Sequence, residues 1–368
     1  MDGLKLPGNI WTSIGRLSFN RAALLCRSLW NMFERFRPAV EQALQASAIT
    51  PRTHFSQLVR DELSDVSLDI PQQSPEKQQL NQLYELRARV LDWELGTGYL
   101  GFFSANPGSR YTFTRRLEAV FDMLPDDLSG LQILEVGCGA GLLCLELAQK
   151  AQSVTGIDVS HVVLNFASQV QEIVRAANVT FQHGDAENLA FAHERFDLVI
   201  CSEVLEHLLD PERALAEIQR VVKPGGTVVL TTPSAESLSD LCMGFLRLFS
   251  ARIESEKDIQ FDKKAYLALQ RSQTEETCFP ETTFMRIHER FSYAQLLAMF
   301  DQAGLHVEDA QGTIFAFPPH YQLFYRYCPG FLLPGIHALE TALNAIGCFQ
   351  RFGSVTSCFL LKKRHTPV

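Results

Sequence analysis

The chain has 368 residues, 46% of them hydrophobic and 20% charged, a balance that excludes a disordered or fibrous protein and leaves ample length for a large core. A formal net charge of -9 disfavours nucleic acid as a partner, because affinity for a phosphate backbone comes from Lys and Arg displacing counterions. Nine cysteines, odd in number and never in a Cys-x-x-Cys pair, read as reduced thiols rather than as a disulfide framework or a zinc site.

Residues 1–110 are expected to form a helical N-terminal extension, with helix-like stretches at 19–36 and 77–94 separated by a polar segment, 49–73, that contains Pro51 and Pro71. In the first stretch Leu25, Leu29, Met32, Phe33 and Phe36 recur at three- and four-residue spacing. Such a face fits packing over the rest of the chain best, with a subunit contact or a membrane surface as other uses. The N-terminus shows no basic stretch followed by an apolar run and a cleavage site, and no run approaches the ~18 apolar residues of a membrane span. A cytoplasmic location without a transmembrane helix is therefore expected, with peripheral membrane contact left open. Oligomeric state is not legible.

From residue 131 onward, short β-prone runs alternate with helical periods, which predicts an α/β fold with a seven-stranded, mostly parallel, Rossmann-like sheet over residues 111–368. The expected strands are 131–136, 153–158, 179–184, 196–202, 227–232, 305–312 and 357–362. The expected helices are 142–150, 161–177, 211–222 and 293–303, the third with Asp210 as its N-cap before Pro211. An insertion after the fifth strand, 234–290, mixes apolar and charged stretches and reads as a lid or a substrate wall.

The first strand runs into Glu135-Val-Gly137-Cys-Gly139-Ala-Gly141. Its glycines permit a tight turn and a close approach of backbone N–H groups to a ligand. Dinucleotide enzymes use Gly-x-Gly-x-x-Gly; the Gly-x-Gly-x-Gly spacing after an acid fits a ligand with an amino-acid tail instead. The second strand ends in Asp158, where a carboxylate can accept from both hydroxyls of a ribose. The third leads into Gly184-Asp185, where an acid can accept from the exocyclic amine of an adenine. Three successive strand ends thus suit one adenosyl ligand.

In this order the residues resemble the motifs of class I S-adenosylmethionine (SAM) dependent methyltransferases, and the strand 196–202 and the Lys223-Pro-Gly-Gly226 turn continue the series. The resemblance covers about residues 131–232. It implies the class I methyltransferase fold and SAM as cofactor, with Gly137 and Gly139 along the methionine tail, Asp158 on the ribose, Asp185 on the adenine and Ser202 on the sulfonium side, and with Glu135 and Gly141 also among the cofactor-binding residues. Arg116 resembles the arginine that some related enzymes set on the cofactor's carboxylate, and Arg115 is its rival.

After the fourth strand, Glu203-Val-Leu-Glu206-His207 brings two carboxylates and an imidazole onto one turn, a donor set able to converge on a divalent ion. The motif resembles that of ubiquinone-pathway O-methyltransferases and small-RNA 2'-O-methyltransferases, where such a group is associated with a metal. This implies Mg2+ on Glu203, Glu206 and His207, with His288 as a further ligand. Relatives that share the Glu-His pair without a metal use it to shape the site or orient a base, so both uses stay open. For a hydroxyl acceptor the candidate catalytic residues are His207, with Glu206 beside it, and His288. His183 is read as structural.

The aromatic run Phe315, Phe317, Tyr321, Phe324, Tyr325 and Tyr327 favours an apolar acceptor: a phenolic, quinone-like or lipid-linked small molecule. The same cofactor motifs also serve N-, C- and sugar O-methylation or a non-catalytic SAM-binding scaffold, and the acidic charge disfavours RNA.

Overall fold

The computed structural model describes residues 34–46, 73–88, 103, 106–237, 289–314, 328–344 and 353–364. Most of the expected first helical stretch and insertion, the aromatic run and His288 lie outside these residues.

The sheet has the strands β1 (Gln132–Val136), β2 (Ser153–Asp158), β3 (Val179–His183), β4 (Phe196–Ser202), β5 (Val222–Pro233), β6 (Leu305–Thr313) and β7 (Thr356–Lys363), in the spatial order β3-β2-β1-β4-β5-β7-β6. Pairings from β3 across to β5 are parallel, and β7 runs antiparallel to both β5 and β6. This is the expected seven-stranded Rossmann-like sheet. The chain steps outward from β1 to β3 and then returns to place β4 beside β1. That reversal opens a crevice at the carboxyl ends of β1 and β4, where open α/β sheets bind ligands.

The strand residues alternate between two cores. Ile133, Leu198, Ile200 and Val229 face one side, with Val163 and Phe166 of the helix α5 (His161–Val174) and Val40 of α1 (Arg37–Ala46). Leu134, Val136, Val199, Val228 and Leu230 face the other, with Leu215 and Ile218 of α6 (Pro211–Val221) and Phe300 of α7 (Tyr293–Gln302). Burial on both faces explains why β1, β4 and β5 read as nearly continuous apolar runs.

Several helix ends differ from expectation for local reasons. The helix α4 (Leu142–Leu147) stops before 150 as its last amides fold into turns onto Glu146 and Leu147. In α5 the chain turns at Arg175, left-handed at φ 57°, with Ala176 N–H bonded back to Gln171, so the helix ends before 177. Val222, expected in α6, instead opens β5 by pairing with Phe196, and Gly225 at φ 73° carries the bulge that follows. Asp210 caps α6 as expected, accepting from Arg213 N–H with Pro211 in the first turn.

The helix α3 (Pro107–Asp122) was not foreseen and crosses the expected 110/111 boundary. Its face toward the helix α8 (Leu333–Asn344) buries a charged network. Arg115 pairs with Glu118 and, at 3.0 Å, with Glu340, which also accepts from Tyr111 Oη at 2.8 Å. The helix α2 (Pro75–Ala88) from the N-terminal region packs against α5. Among the described residues no helix is long and apolar enough to cross a membrane.

Candidate active site

The carboxyl edge of β1, β2 and β3 gathers most of the residues expected to hold a cofactor. Gly137, Gly139 and Gly141 take φ values of 71°, 50° and 73°, a left-handed path that glycine adopts without a Cβ penalty. A Cβ on Gly137 would lie 2.3 Å from Val204 Cγ2, so this glycine also lets the loop touch the segment after β4 across the crevice. The loop amides serve a purpose the sequence did not suggest. Gly137 and Cys138 N–H both donate to Ile157 O, and Gly139 N–H donates to Asp158 Oδ2 at 2.9 Å. The loop thereby fastens itself to the end of β2 and aims the carboxylate there.

Asp158 is 7% exposed, and its other oxygen accepts from Ser160 N–H at 2.9 Å. Burial pushes its carboxyl up to about 6 against the pull of these amides. A carboxylate oxygen can accept more than one hydrogen bond, so these amides do not exhaust what the group can accept. Glu135 lies beneath the loop, accepting from Cys144 Sγ of α4 at 2.8 Å, and burial pushes its carboxyl up to about 8. At neutral pH it is largely a neutral acid within the core.

Asp185 follows β3 and is held from the N-terminal region. Lys77 of α2 stands 3.1 Å from its Oδ1, and Gln73 Nε2 donates to Oδ2 at 2.8 Å. Lys77 also pairs with Glu187 at 2.5 Å, and Glu187 accepts from the N–H groups of Leu209 and Asp210 beyond β4. All three ionised side chains are buried. Lys77, Gln73 and Glu187 were missed in the sequence; the Asp185-Ala-Glu187 spacing hinted at the last, and nothing local marked the others.

The segment after β4 borders the crevice on its other side. Ser202 donates to Thr231 Oγ1, whose single hydrogen passes to Glu203 Oε1 at 3.0 Å. Glu203 sits at φ 56°, strained for a residue with a side chain, and its Oε2 meets Arg116 at 2.8 Å. Of the two rival arginines, Arg116 therefore faces the crevice and Arg115 the core. Glu206 is 2% exposed, and burial, then the neighbouring Glu203, hold its carboxyl well above the usual range. His207 Nδ1 is 2.9 Å from Tyr84 Oη of α2, and Nε2 is 3.8 Å from Glu206 Oε1. Glu289, next to His288 in sequence, donates its N–H to Glu206 O. His183 Nε2 bonds Val159 O and its ring stacks on His161, in keeping with a structural role.

The expected Mg2+ site is not matched by these donors. Glu203 is shared between Thr231 and Arg116, Glu206 is buried with its carboxyl held well above the usual range, and among the described residues no group of three or more His, Cys, Asp or Glu is arranged to hold a metal ion.

Residues 134–230 match the family model described as "Methyltransferase domain". A ubiquinone biosynthesis O-methyltransferase of Pseudomonas fluorescens (strain Pf0-1) is 41% identical over 107 residues, 29% of this chain and 46% of that protein. The protein of that name from Coxiella burnetii (strain Dugway 5J108-111) is 38% identical over 105 residues, 28% of this chain and 44% of that one. The chain thus spans less than half the length of these curated relatives. Among solved structures, the [4+2]-cyclase SpnF is 21% identical with a TM-score of 0.44, covering 68% of this chain and 80% of that one. A SAM-dependent methyltransferase from Mesorhizobium loti is 19% identical with a TM-score of 0.42, covering 69% and 100%. The matched segment contains the glycine loop, Asp158, Asp185 and the Glu206-His207 turn, on a sheet that reverses direction between β1 and β4. Residues 134–230 are accordingly similar to a methyltransferase domain, on a Rossmann-like sheet.

Proposed function

We propose that the chain transfers a methyl group from SAM to a small-molecule acceptor, by O-methylation of an apolar phenolic, quinone-like or lipid-linked compound. The observation that carries this reading is Asp158, a buried carboxylate fixed by the Gly139 and Ser160 amides at the tip of β2, close to the crevice. An acid kept there at the cost of desolvation suits a ribose, whose hydroxyls replace the hydrogen bonds lost to burial. Asp185 suits the adenine amine, and Arg116, beside the glycine loop's contact with Val204, suits the carboxylate of the methionine tail.

SAM, when bound, supplies a methyl group already activated on a sulfonium, so the chain's own task is alignment and exclusion of water. A hydroxyl acceptor also has to lose a proton. His207 serves as the base, with the Glu206 carboxyl beside it held by burial well above the usual carboxylate range. The two relatives bear the name of O-methyltransferases, which supports a hydroxyl acceptor.

The test is transfer of label from methyl-labelled SAM to a cell extract, with the organic and aqueous phases counted against a heat-killed control. Label in the organic phase is expected, and Asp158→Ala should abolish it and weaken S-adenosylhomocysteine binding in calorimetry by at least about tenfold, the equivalent of one lost charged hydrogen bond. Label confined to the aqueous phase would overturn the apolar acceptor, and unchanged affinity in Asp158→Ala would overturn the ribose assignment.

A further inference from the structure

The helix α2 reaches the site from far along the chain. Lys77, Asn81 and Tyr84 stand at helical positions i, i+4 and i+7, which share one face. Lys77 fastens that face to Asp185 and Glu187 at the end of β3, and Asn81 bonds Gln73, itself on Asp185. Two turns farther on, Tyr84 Oη lies 2.9 Å from His207 Nδ1 and 3.4 Å from the main-chain oxygen of the same residue, with the two rings edge to face at 5.3 Å.

A phenol has one hydrogen to give. If it goes to Nδ1, the imidazole carries its own hydrogen on Nε2 and the contact with the carbonyl has no hydrogen in it. If it goes to the carbonyl, Nδ1–H donates to the phenol oxygen and both contacts are satisfied. The second arrangement leaves the ring's lone pair on Nε2, the only nitrogen from which a neutral imidazole can then accept a proton.

We infer that Tyr84 is a positioning residue that holds His207 as its Nδ1–H tautomer, so that Nε2 is the basic atom. The inference rests on the reading of His207 as the base for a hydroxyl acceptor, and it assigns to the N-terminal region a part in the chemistry.

The experiment uses the full chain, labelled with nitrogen-15 histidine and saturated with S-adenosylhomocysteine, in a long-range nitrogen–proton correlation spectrum near neutral pH; His207→Gln identifies the signal. The wild type is expected to show a protonated Nδ1 and a pyridine-like Nε2. Tyr84→Phe, which keeps the ring contact, is expected to shift the ring toward Nε2–H, the form imidazole favours in water. It should also lower kcat about tenfold, roughly the worth of one neutral hydrogen bond, while changing the KM for SAM less than about twofold. An Nε2–H tautomer in the wild type overturns the inference without recourse to any variant, and so does a spectrum unchanged in Tyr84→Phe. Turnover that persists in His207→Gln, alongside a Tyr84-dependent tautomer, sinks the base assignment while leaving the positioning intact.

Discussion

Buried acids are held in two different ways on the two sides of this molecule. At the tips of β1 and β2, Asp158 is fixed by backbone amides from Gly139 and Ser160, 19 and 2 residues away. On the flank, Glu118 and Glu340 are fixed by the guanidinium of Arg115, and the Glu340 contact spans 225 residues. The first arrangement depends on the local path of the chain and leaves acceptor sites for a ligand. The second neutralises charge against charge inside the core. The difference teaches that main-chain donors can hold a buried acid and still leave it lone pairs to offer, whereas Glu118 and Glu340, held by one arginine, tie α3 to α8.

The largest expected effect breaks that tie. Arg115→Met leaves Glu118 and Glu340 buried beside Tyr111 and His337 without their cation, and removing one partner of a buried pair typically costs about 3–5 kcal/mol. Urea unfolding should show the midpoint falling steeply. If the network is only structural, S-adenosylhomocysteine affinity measured below the transition should stay within about twofold of wild type, well under the 1.4 kcal/mol of a tenfold change. A large loss of affinity with little loss of stability would mean that the flank belongs to the site.

Glu135 sharpens the comparison, because it sits in the motif yet behaves as core. Burial raises its carboxyl from the ordinary 4.5 to about 8. Between those values the folded state binds a proton that the unfolded chain has released, so stability falls as pH rises, by up to about 1.4 kcal/mol per pH unit for one such group. Glu135→Gln keeps an acceptor for Cys144 Sγ and removes this penalty. Its unfolding free energy should therefore decline less between pH 6 and pH 8. The slope should not vanish, because Glu206, also held up by burial, keeps its share. A slope equal to the wild type's would place the proton elsewhere.

The same contrast explains what could be read from the sequence. β2 and β4 have the expected ends because their runs are β-prone and bounded by polar or turn residues, and Asp158 could be singled out because it stands at a strand tip. Lys77 and Tyr84 were not found. Their partners lie 110 and 123 residues away, and no local pattern distinguishes a lysine that will be buried against two acids from one left in water. Arg115 and Arg116 are adjacent on a helix and so point about 100° apart. The sequence offered them as rivals, and only the placement of α3 over β5, β6 and β7 sends one to Glu340 and the other to Glu203.

Gly137 tests the backbone side of the comparison with a smaller effect. Gly137→Ala forces a side chain into a left-handed turn and sets its Cβ 2.3 Å from Val204 Cγ2, for a combined cost of about 2–3 kcal/mol. Adding Val204→Ala relieves the overlap but not the backbone strain, so the double variant should recover only part of the stability, read as the shift in urea midpoint. Full recovery would mean that the left-handed turn costs nothing here, and that glycine is required only for the approach to the segment after β4.

Asp210 gives the smallest effect and the strictest check on local reasoning. Its side chain accepts from Arg213 N–H and begins α6, and its own N–H lies 3.3 Å from Glu187 Oε1, which in turn meets Lys77 of α2. The residue therefore stands in both classes, as a cap legible in the sequence and as a link in a long-range network. Asp210→Ala keeps the main-chain N–H and removes only the cap, so it should cost about 1 kcal/mol, with S-adenosylhomocysteine affinity unchanged. A cost near that value separates cap from network. A loss several times larger, accompanied by weaker binding, would show that the cap sets the position of the Leu209–Asp210 amides on Glu187, and that local and distant order here are a single cooperative unit.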